Sequence, residues 1–209
     1  MLAAGLSSRM GAFKPLMQIG GKTLVEHSVG SLFQGGAQSV TVVLGCRAAE
    51  VRAVLKKAFS ACEVSFAYNP GYAKTDMLAS IKAGLCSFAP CDAFFLLPGD
   101  MPAVARGTMR ALLESLEQSG AAVAMPMVEG RRKHPPLIRA SCINDILTYE
   151  GEGGLRGIWR SYEDTMVEVP VSDRGCLLDA DKMNDFLELS HYLQNKMHAA
   201  EVRLHAEPN

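Results

Sequence analysis

The sequence predicts a three-layer α/β/α sandwich built on a mostly parallel sheet, and three observations carry that expectation. Short apolar or β-branched runs alternate with longer amphipathic segments, which is the pattern of βαβ units. One run, Ala93–Pro98 (AFFLLP), lacks any polar alternation, as a strand covered on both faces requires. Hydrophobic residues make up 48% of the 209 and no Pro/Ser tract, charge block or repeat interrupts them, so a single core suffices. One domain over 1–209 is the organisation expected.

The elements follow in order. Leu24, Val25, Val29, Leu32 and Phe33 recur with helical spacing until Gly35-Gly36 stops the run. Residues 39–45 (SVTVVLG) form a β-branched strand, and 48–59 return to a helix with Val51, Val54, Leu55, Ala58 and Phe59 on one face. A strand over 62–68 reaches a polar turn at Asn69-Pro70-Gly71, and a helix runs from about 76 to 87. The strand 93–98, a helix marked by Met109, Leu112, Leu113 and Leu116, and a strand over 121–128 complete the regular part. Beyond it, 131–136 and 150–154 read as loops and 165–171 as a short strand. Met183, Phe186, Leu187, Leu189 and Leu193 line a closing helix.

Charge and cysteine usage narrow the function classes. Twenty-one basic against twenty-two acidic residues give a net charge of −1, which leaves no bulk attraction to nucleic acid or anionic membrane. Six scattered cysteines without CxxC spacing suggest buried thiols in a reducing compartment, with no zinc or iron–sulfur pattern. No apolar run reaches membrane-span length, and MLAAGLSSRMGAFK lacks the hydrophobic stretch of a secretory signal. A cytoplasmic protein without nucleic-acid or membrane partners is expected.

Four places carry chemistry. Ala4–Gly11 follows the first strand and is rich in glycine and serine, with Arg9 and Lys14 adding positive charge. Such a loop is either a flexible turn with solvated cations or a backbone cradle for phosphate; it is neither a Walker A loop nor GxGxxG. Asp100 ends the strand 93–98 beside a glycine, where a carboxylate either holds Mg²⁺ over a nucleotide or caps the next helix. Asp179 and Asp181, two positions apart, either face one ion or divide, with Asp181 starting the last helix. Arg131–Pro136 (RRKHPP) is either a solvated basic face or a binder of a phosphorylated substrate. His134 has no zinc-ligand companions, and His27, His191, His198 and His205 are structural or solvent-facing.

The ordered pattern LAAG-x-S-x-RMG-x-x-K at 2–14 resembles the opening signature of the molybdenum cofactor nucleotidyltransferases, the guanylyl- and cytidylyltransferases. The resemblance runs from residue 2 to about 190. It implies a Rossmann-like fold of the nucleotide-diphospho-sugar transferase type and transfer of a nucleoside monophosphate from an NTP with release of pyrophosphate. On that basis Ala3, Ala4 and Gly5 approach base and sugar, while Ser7, Arg9 and Lys14 surround the triphosphate. Arg9, Lys14 and Asp100 are the implied catalytic residues. The passage LPGDMP at 97–102 matches the family's LxxDxP and implies Mg²⁺ on Asp100. LDAD at 178–181 resembles D-x-D-T-P-E-D, which implies Asp179 as second ligand and Asp181 as helper.

The acceptor side is implied within 128–180. His134, with Lys133 and Pro135, stands in the family's GHP passage, and EGEGGLRG at 150–157 offers Arg156 to an acceptor phosphate. NPGYAKTDMLASIKAG at 69–84 resembles the segment after the third strand and puts Ser80 near the nucleotide. The chain departs from the pattern at Asp76, Ala79, Lys133 and Lys182. Ala-Ala-Gly at 3–5 is the form associated with cytidylyl transfer, so CTP is the implied donor. Molybdopterin or its molybdenum-loaded form is the implied acceptor, and a molybdoenzyme or its chaperone the implied transient partner. Two other readings stay open: the same transfer to a sugar or polyol phosphate, and a nucleotide- or cofactor-binding protein without catalysis. Relatives carry more apolar residues before the loop, so the first strand is expected to be short or the chain to begin late.

Overall fold

The computed structural model describes residues 1–8 and 10–206. In chain order the elements are β1 (Leu2–Ala3), β2 (Gln18–Ile19), β3 (Lys22–Thr23), α1 (Leu24–Gln34), β4 (Val40–Leu44), α2 (Ala48–Ala58) and β5 (Val64–Tyr68). They continue as α3 (Met77–Leu85), β6 (Ala93–Phe95), α4 (Arg106–Ser119), β7 (Val123–Val128), β8 (Arg131–Arg132) and β9 (Leu137–Arg139). The chain closes with α5 (Ile143–Thr148), α6 (Gly154–Ser161), β10 (Met166–Pro170) and α7 (Met183–Ala206).

The short first strand sits in the middle of the sheet. β1 pairs in parallel with β4, which pairs in parallel with β5. On its other side Leu2 donates to the Leu97 carbonyl at 2.9 Å and accepts from Gly99 at 2.8 Å. Two residues are enough because both edges are hydrogen-bonded. The full order is β5-β4-β1-β6-β9-β7-β10, joined at the Leu2–Pro98 bridge. All of these strands are parallel except β9, which runs antiparallel to both β6 and β7.

Two stretches differ from the sequence reading. The extended run 93–98 changes partner part-way: 93–95 pair with β9, and 97–99 bond to Leu2. The segment 131–136 is not wholly loop. Glu129 and Gly130 both adopt positive φ, at 51° and 71°, and this two-residue turn folds β8 back on β7. The chain then returns as β9, inserted between two parallel strands.

Helices cover both faces. Val25, Val29 and Leu32 of α1, Val51 and Leu55 of α2, and Met109 of α4 pack on one face with Val40, Val42 and Leu44. Leu78 and Ile81 of α3, Ile146 of α5 and Ile158 of α6 pack on the other with Phe94, Val123 and Met125. The alternation along β7 is the period-two rule at work: Val123 and Met125 face one layer, Ala124 the other. At the start of α1, Thr23 and Glu26 form a reciprocal capping box. α7 packs Phe186, Leu189 and Leu193 against Ile19 and Leu24, whereas Met183 and Leu187, expected on that face, are exposed. No helix among the described residues is long and apolar enough to cross a membrane.

Candidate active site

A cleft of about 560 Å³ opens beyond the C-terminal ends of β1 and β6, where ligands of open α/β sheets gather. Leu2–Ser8, Pro98–Met101 and part of the 72–80 segment line it, with Lys14, His134, Asp179 and Asp181 completing the wall. Ala3, Ala4, Gly5, Ser7, Lys14, Ser80, Asp100, His134, Asp179 and Asp181 are thus brought together. Arg9 lies outside the described residues.

The loop after β1 is placed by backbone contacts. Cys46 N–H donates to the Ala4 carbonyl at 3.2 Å, and the Gly99 bond to Leu2 fixes its other side. A Cβ at Gly99 would lie 2.8 Å from the Leu2 carbonyl oxygen, so this approach needs glycine. The Ser28 hydroxyl, buried on α1, sits 2.8 Å from the Gly99 carbonyl and props the turn from behind. A side chain at Gly5 would meet nothing within 4 Å; glycine there keeps the cleft open. Ser7 adopts a positive φ of 56°, and its Oγ accepts the Lys14 backbone N–H at 3.2 Å. That contact ties the loop to the residue carrying the ammonium.

Lys14 is buried, and its Nζ lies 3.2 Å from Asp100 Oδ2 and 2.9 Å from Asp181 Oδ1. Asp100 is turned into the cleft because another residue holds the next helix. Asp173 Oδ2 accepts from Ala105 N–H at 2.7 Å and Thr108 Oγ1 at 2.8 Å, and Oδ1 accepts from Gly175 N–H at 2.9 Å. Burial, then the Asp181 and Asp100 carboxylates, push the Asp179 carboxyl above its usual range, with Lys14 partly offsetting them. These three carboxylates therefore share one field. Among the described residues no three His, Cys, Asp or Glu side chains converge as a ready metal cage.

The segment before α3 is organised by Asn69, which is buried. Its Nδ2 donates to Ser80 Oγ at 2.9 Å and to Thr75 Oγ1 at 3.1 Å, and its Oδ1 accepts Gly71 N–H at 3.0 Å. Asp76 caps α3 through a 3.0 Å bond from Ala79 N–H and also lines the cleft. Lys82 is drawn away, donating to the Tyr149 carbonyl at 2.6 Å.

On the far side, burial lowers the proton affinity of His134. Its Nδ1 lies 3.3 Å from the Leu96 carbonyl, which only accepts. Nδ1 therefore carries the proton in the neutral ring, leaving Nε2 as an acceptor. Pro135 is buried directly behind it. The basic cluster is split. Arg132 is engaged by Glu163 and Glu168 at the surface, and Lys133 bonds through its backbone to Pro126. Lys133 and the exposed Arg156 do not line the cleft. Asn69, Ser28 and Asp173 were not singled out by sequence reasoning. Asn69 registered only as a turn residue, and nothing local marked the other two.

The MobA-like NTP transferase domain matches residues 1–166. The chain belongs to this family. It is a nucleotidyltransferase with the family's α/β fold, here with antiparallel β8 and β9 added to a mostly parallel sheet. It is 27% identical to the molybdenum cofactor cytidylyltransferase of Escherichia coli (strain K12), over 88% of this chain and 91% of that protein. It is 31% identical to the CMP-5'-(3-aminopropyl)phosphonate synthase of Streptomyces rubellomurinus, over 61% of this chain but 20% of that protein. A nucleotidyl transferase from Methanothermobacter superposes with a TM-score of 0.76 at 24% identity, covering 93% of this chain and 96% of the other.

Proposed function

We propose that this nucleotidyltransferase transfers CMP from CTP to the terminal phosphate of a molybdopterin-type acceptor, with Mg²⁺ as cofactor. The observation that carries the reading is one cleft in which the glycine loop and the Lys14 ammonium meet the Asp100, Asp179 and Asp181 carboxylates. Asp100, Asp179 and Asp181 line this one cleft, and carboxylate oxygens are the ligand type that Mg²⁺ takes, which supports the metal reading. Asp100 and Asp179 would hold the ion, with Asp181 assisting. Mg²⁺ bound there would neutralise triphosphate charge and polarise the phosphorus under attack.

The remaining work falls to the chain. The backbone of Ala3, Ala4 and Gly5, with Ser80 opposite, takes base and sugar. Ser7, Arg9 and Lys14 hold the triphosphate. An acceptor phosphate oxygen attacks the α-phosphorus, a new P–O bond forms, the bond to the β-phosphate oxygen breaks, and pyrophosphate leaves. Lys14 stabilises charge that builds on the transferring group. His134, neutral and accepting through Nε2, orients the acceptor; Lys133, Pro135 and Arg156 lie outside the cleft wall and take no direct part in this reading. Six free cysteines suit a reducing, cytoplasmic setting.

CTP is favoured by the Ala-Ala-Gly form of the loop and by the likeness to the Escherichia coli cytidylyltransferase. A second reading, transfer to a smaller phosphate- or phosphonate-bearing acceptor, draws on the likeness to the phosphonate synthase. Pyrophosphate release measured across CTP, GTP and ATP with molybdopterin, polyol phosphates and aminoalkyl phosphonates tests both. Turnover with CTP and molybdopterin is expected. Preference for GTP would overturn the donor, and turnover with another acceptor alone would overturn the acceptor.

A further inference from the structure

We propose that Lys14 is an internal stand-in for the divalent cation: in the free protein its ammonium bridges Asp100 and Asp181, and it gives up that place when cation and nucleotide enter together. The inference rests on the reading of the cleft as a Mg²⁺–NTP site. Asp100 lies in the turn after the Leu2–Pro98 bridge and Asp181 precedes the last helix, 86 and 167 positions away from Lys14 in sequence. Carboxylates gathered this closely need a counter-charge, and Lys14 Nζ supplies it at 3.2 and 2.9 Å. The Lys14 side chain is only 11% exposed, against 26% for Asp100 and 35% for Asp181, so the ammonium is held on the inner side of carboxylates that still reach solvent.

An ammonium and a divalent cation repel, and Asp100 is the carboxylate that both would use. Entry of the cation there therefore drives Nζ off Asp100. Lys14 is suited to this exchange: its backbone N–H is anchored on Ser7 Oγ, while the four-carbon stem can swing. The triphosphate arriving with the cation gives the ammonium a new anionic partner. Two consequences follow. The cation alone binds weakly, because it competes with a charge already in place. Cation and nucleotide each tighten the binding of the other, by equal factors.

Mn²⁺ binding followed by water-proton relaxation tests this, on the full chain with and without a non-hydrolysable CTP analogue. Lys14→Met is expected to bind Mn²⁺ at least about tenfold more tightly than wild type in the absence of nucleotide, the scale of coupling between close charges. In that variant the analogue should tighten Mn²⁺ by a smaller factor than in wild type, because only the direct attraction between metal and triphosphate is left. Lys14→Arg, which keeps the charge, should behave as wild type. Should Lys14→Met unfold, as circular dichroism would report, Lys14→Gln keeps an N–H donor towards the carboxylates and makes the same comparison. Unchanged or weaker Mn²⁺ binding in the neutral variants, with wild-type binding intact, overturns the stand-in and leaves the metal reading standing. Absence of Mn²⁺ binding in every form, with or without the analogue, overturns both.

Discussion

On the side of the cleft proposed for the nucleotide, the loop after β1 meets the site mainly with backbone. Leu2–Ser8 leaves a two-residue strand held on both edges, and Gly99 is pressed against the Leu2 carbonyl. On the side proposed for the acceptor, the chain meets the site with a side chain, His134, carried between β8 and the antiparallel β9. A backbone site tolerates few changes, because glycine geometry and strand pairing fix it. A side-chain site is exchangeable, since the hairpin that holds it can stay while its residues vary. The difference is in keeping with two relatives, a molybdenum cofactor cytidylyltransferase and a CMP-5'-(3-aminopropyl)phosphonate synthase, whose names differ in the acceptor.

The largest blow to the nucleotide side should come from Asp100→Ala. This residue faces Lys14 and the next helix is held by Asp173, so the fold should survive. Pyrophosphate release from CTP is expected to fall by roughly 10³-fold or more; activity within tenfold of wild type would remove Asp100 from the chemistry. Gly99→Ala strikes the same side through the backbone. Its new Cβ would crowd the Leu2 carbonyl, and urea unfolding should register a loss of about 2 kcal/mol, typical of overpacking.

Acceptor-side changes should be smaller and separable. His134→Phe is expected to raise the acceptor KM by roughly tenfold and leave the CTP KM unchanged, as loss of one hydrogen-bond acceptor implies. Arg156→Ala, at an exposed site outside the cleft wall, should move either value by less than about threefold. Equal effects on both substrates would erase the division between the two sides of the cleft.

The smallest effect tests the charge field. Asp179 has a folded proton affinity raised above its unfolded one, chiefly by burial and then by Asp181 and Asp100. The folded state thus binds more protons than the unfolded state between the two values, and metal-free stability rises as pH falls through the folded value. Asp179→Asn should therefore raise the metal-free melting temperature slightly at pH 8, and the gain should shrink as pH drops towards the carboxylate range. A gain that grows on acidification would reverse the sign.

Much of the nucleotide side was legible because it is contiguous. The Gly/Ser loop with Lys14, the strand 40–44 and Asp100 at the end of an apolar run each announce themselves within a few residues. The acceptor side was not, for two reasons. Positive φ at Glu129-Gly130 turns a basic run into β8 and slips β9 between parallel strands, so segment 131–136 looked like loop alone. The supports Ser28, Asn69 and Asp173 act through single hydrogen bonds across the fold, and a lone serine or aspartate carries no periodic signal.

By itself the sequence determined the alternation of strands and helices, the apolar face of most helices, and the residue types proposed for phosphate and metal. Hydrophobic period and a contiguous motif are local properties, and local properties can be read along a chain. Only the tertiary structure decided which carboxylates Lys14 would meet. It also decided which aspartate would hold α4 and which half of the basic cluster would reach the cleft. Those outcomes depend on distances between residues far apart in sequence, set when the sheet closes around β1.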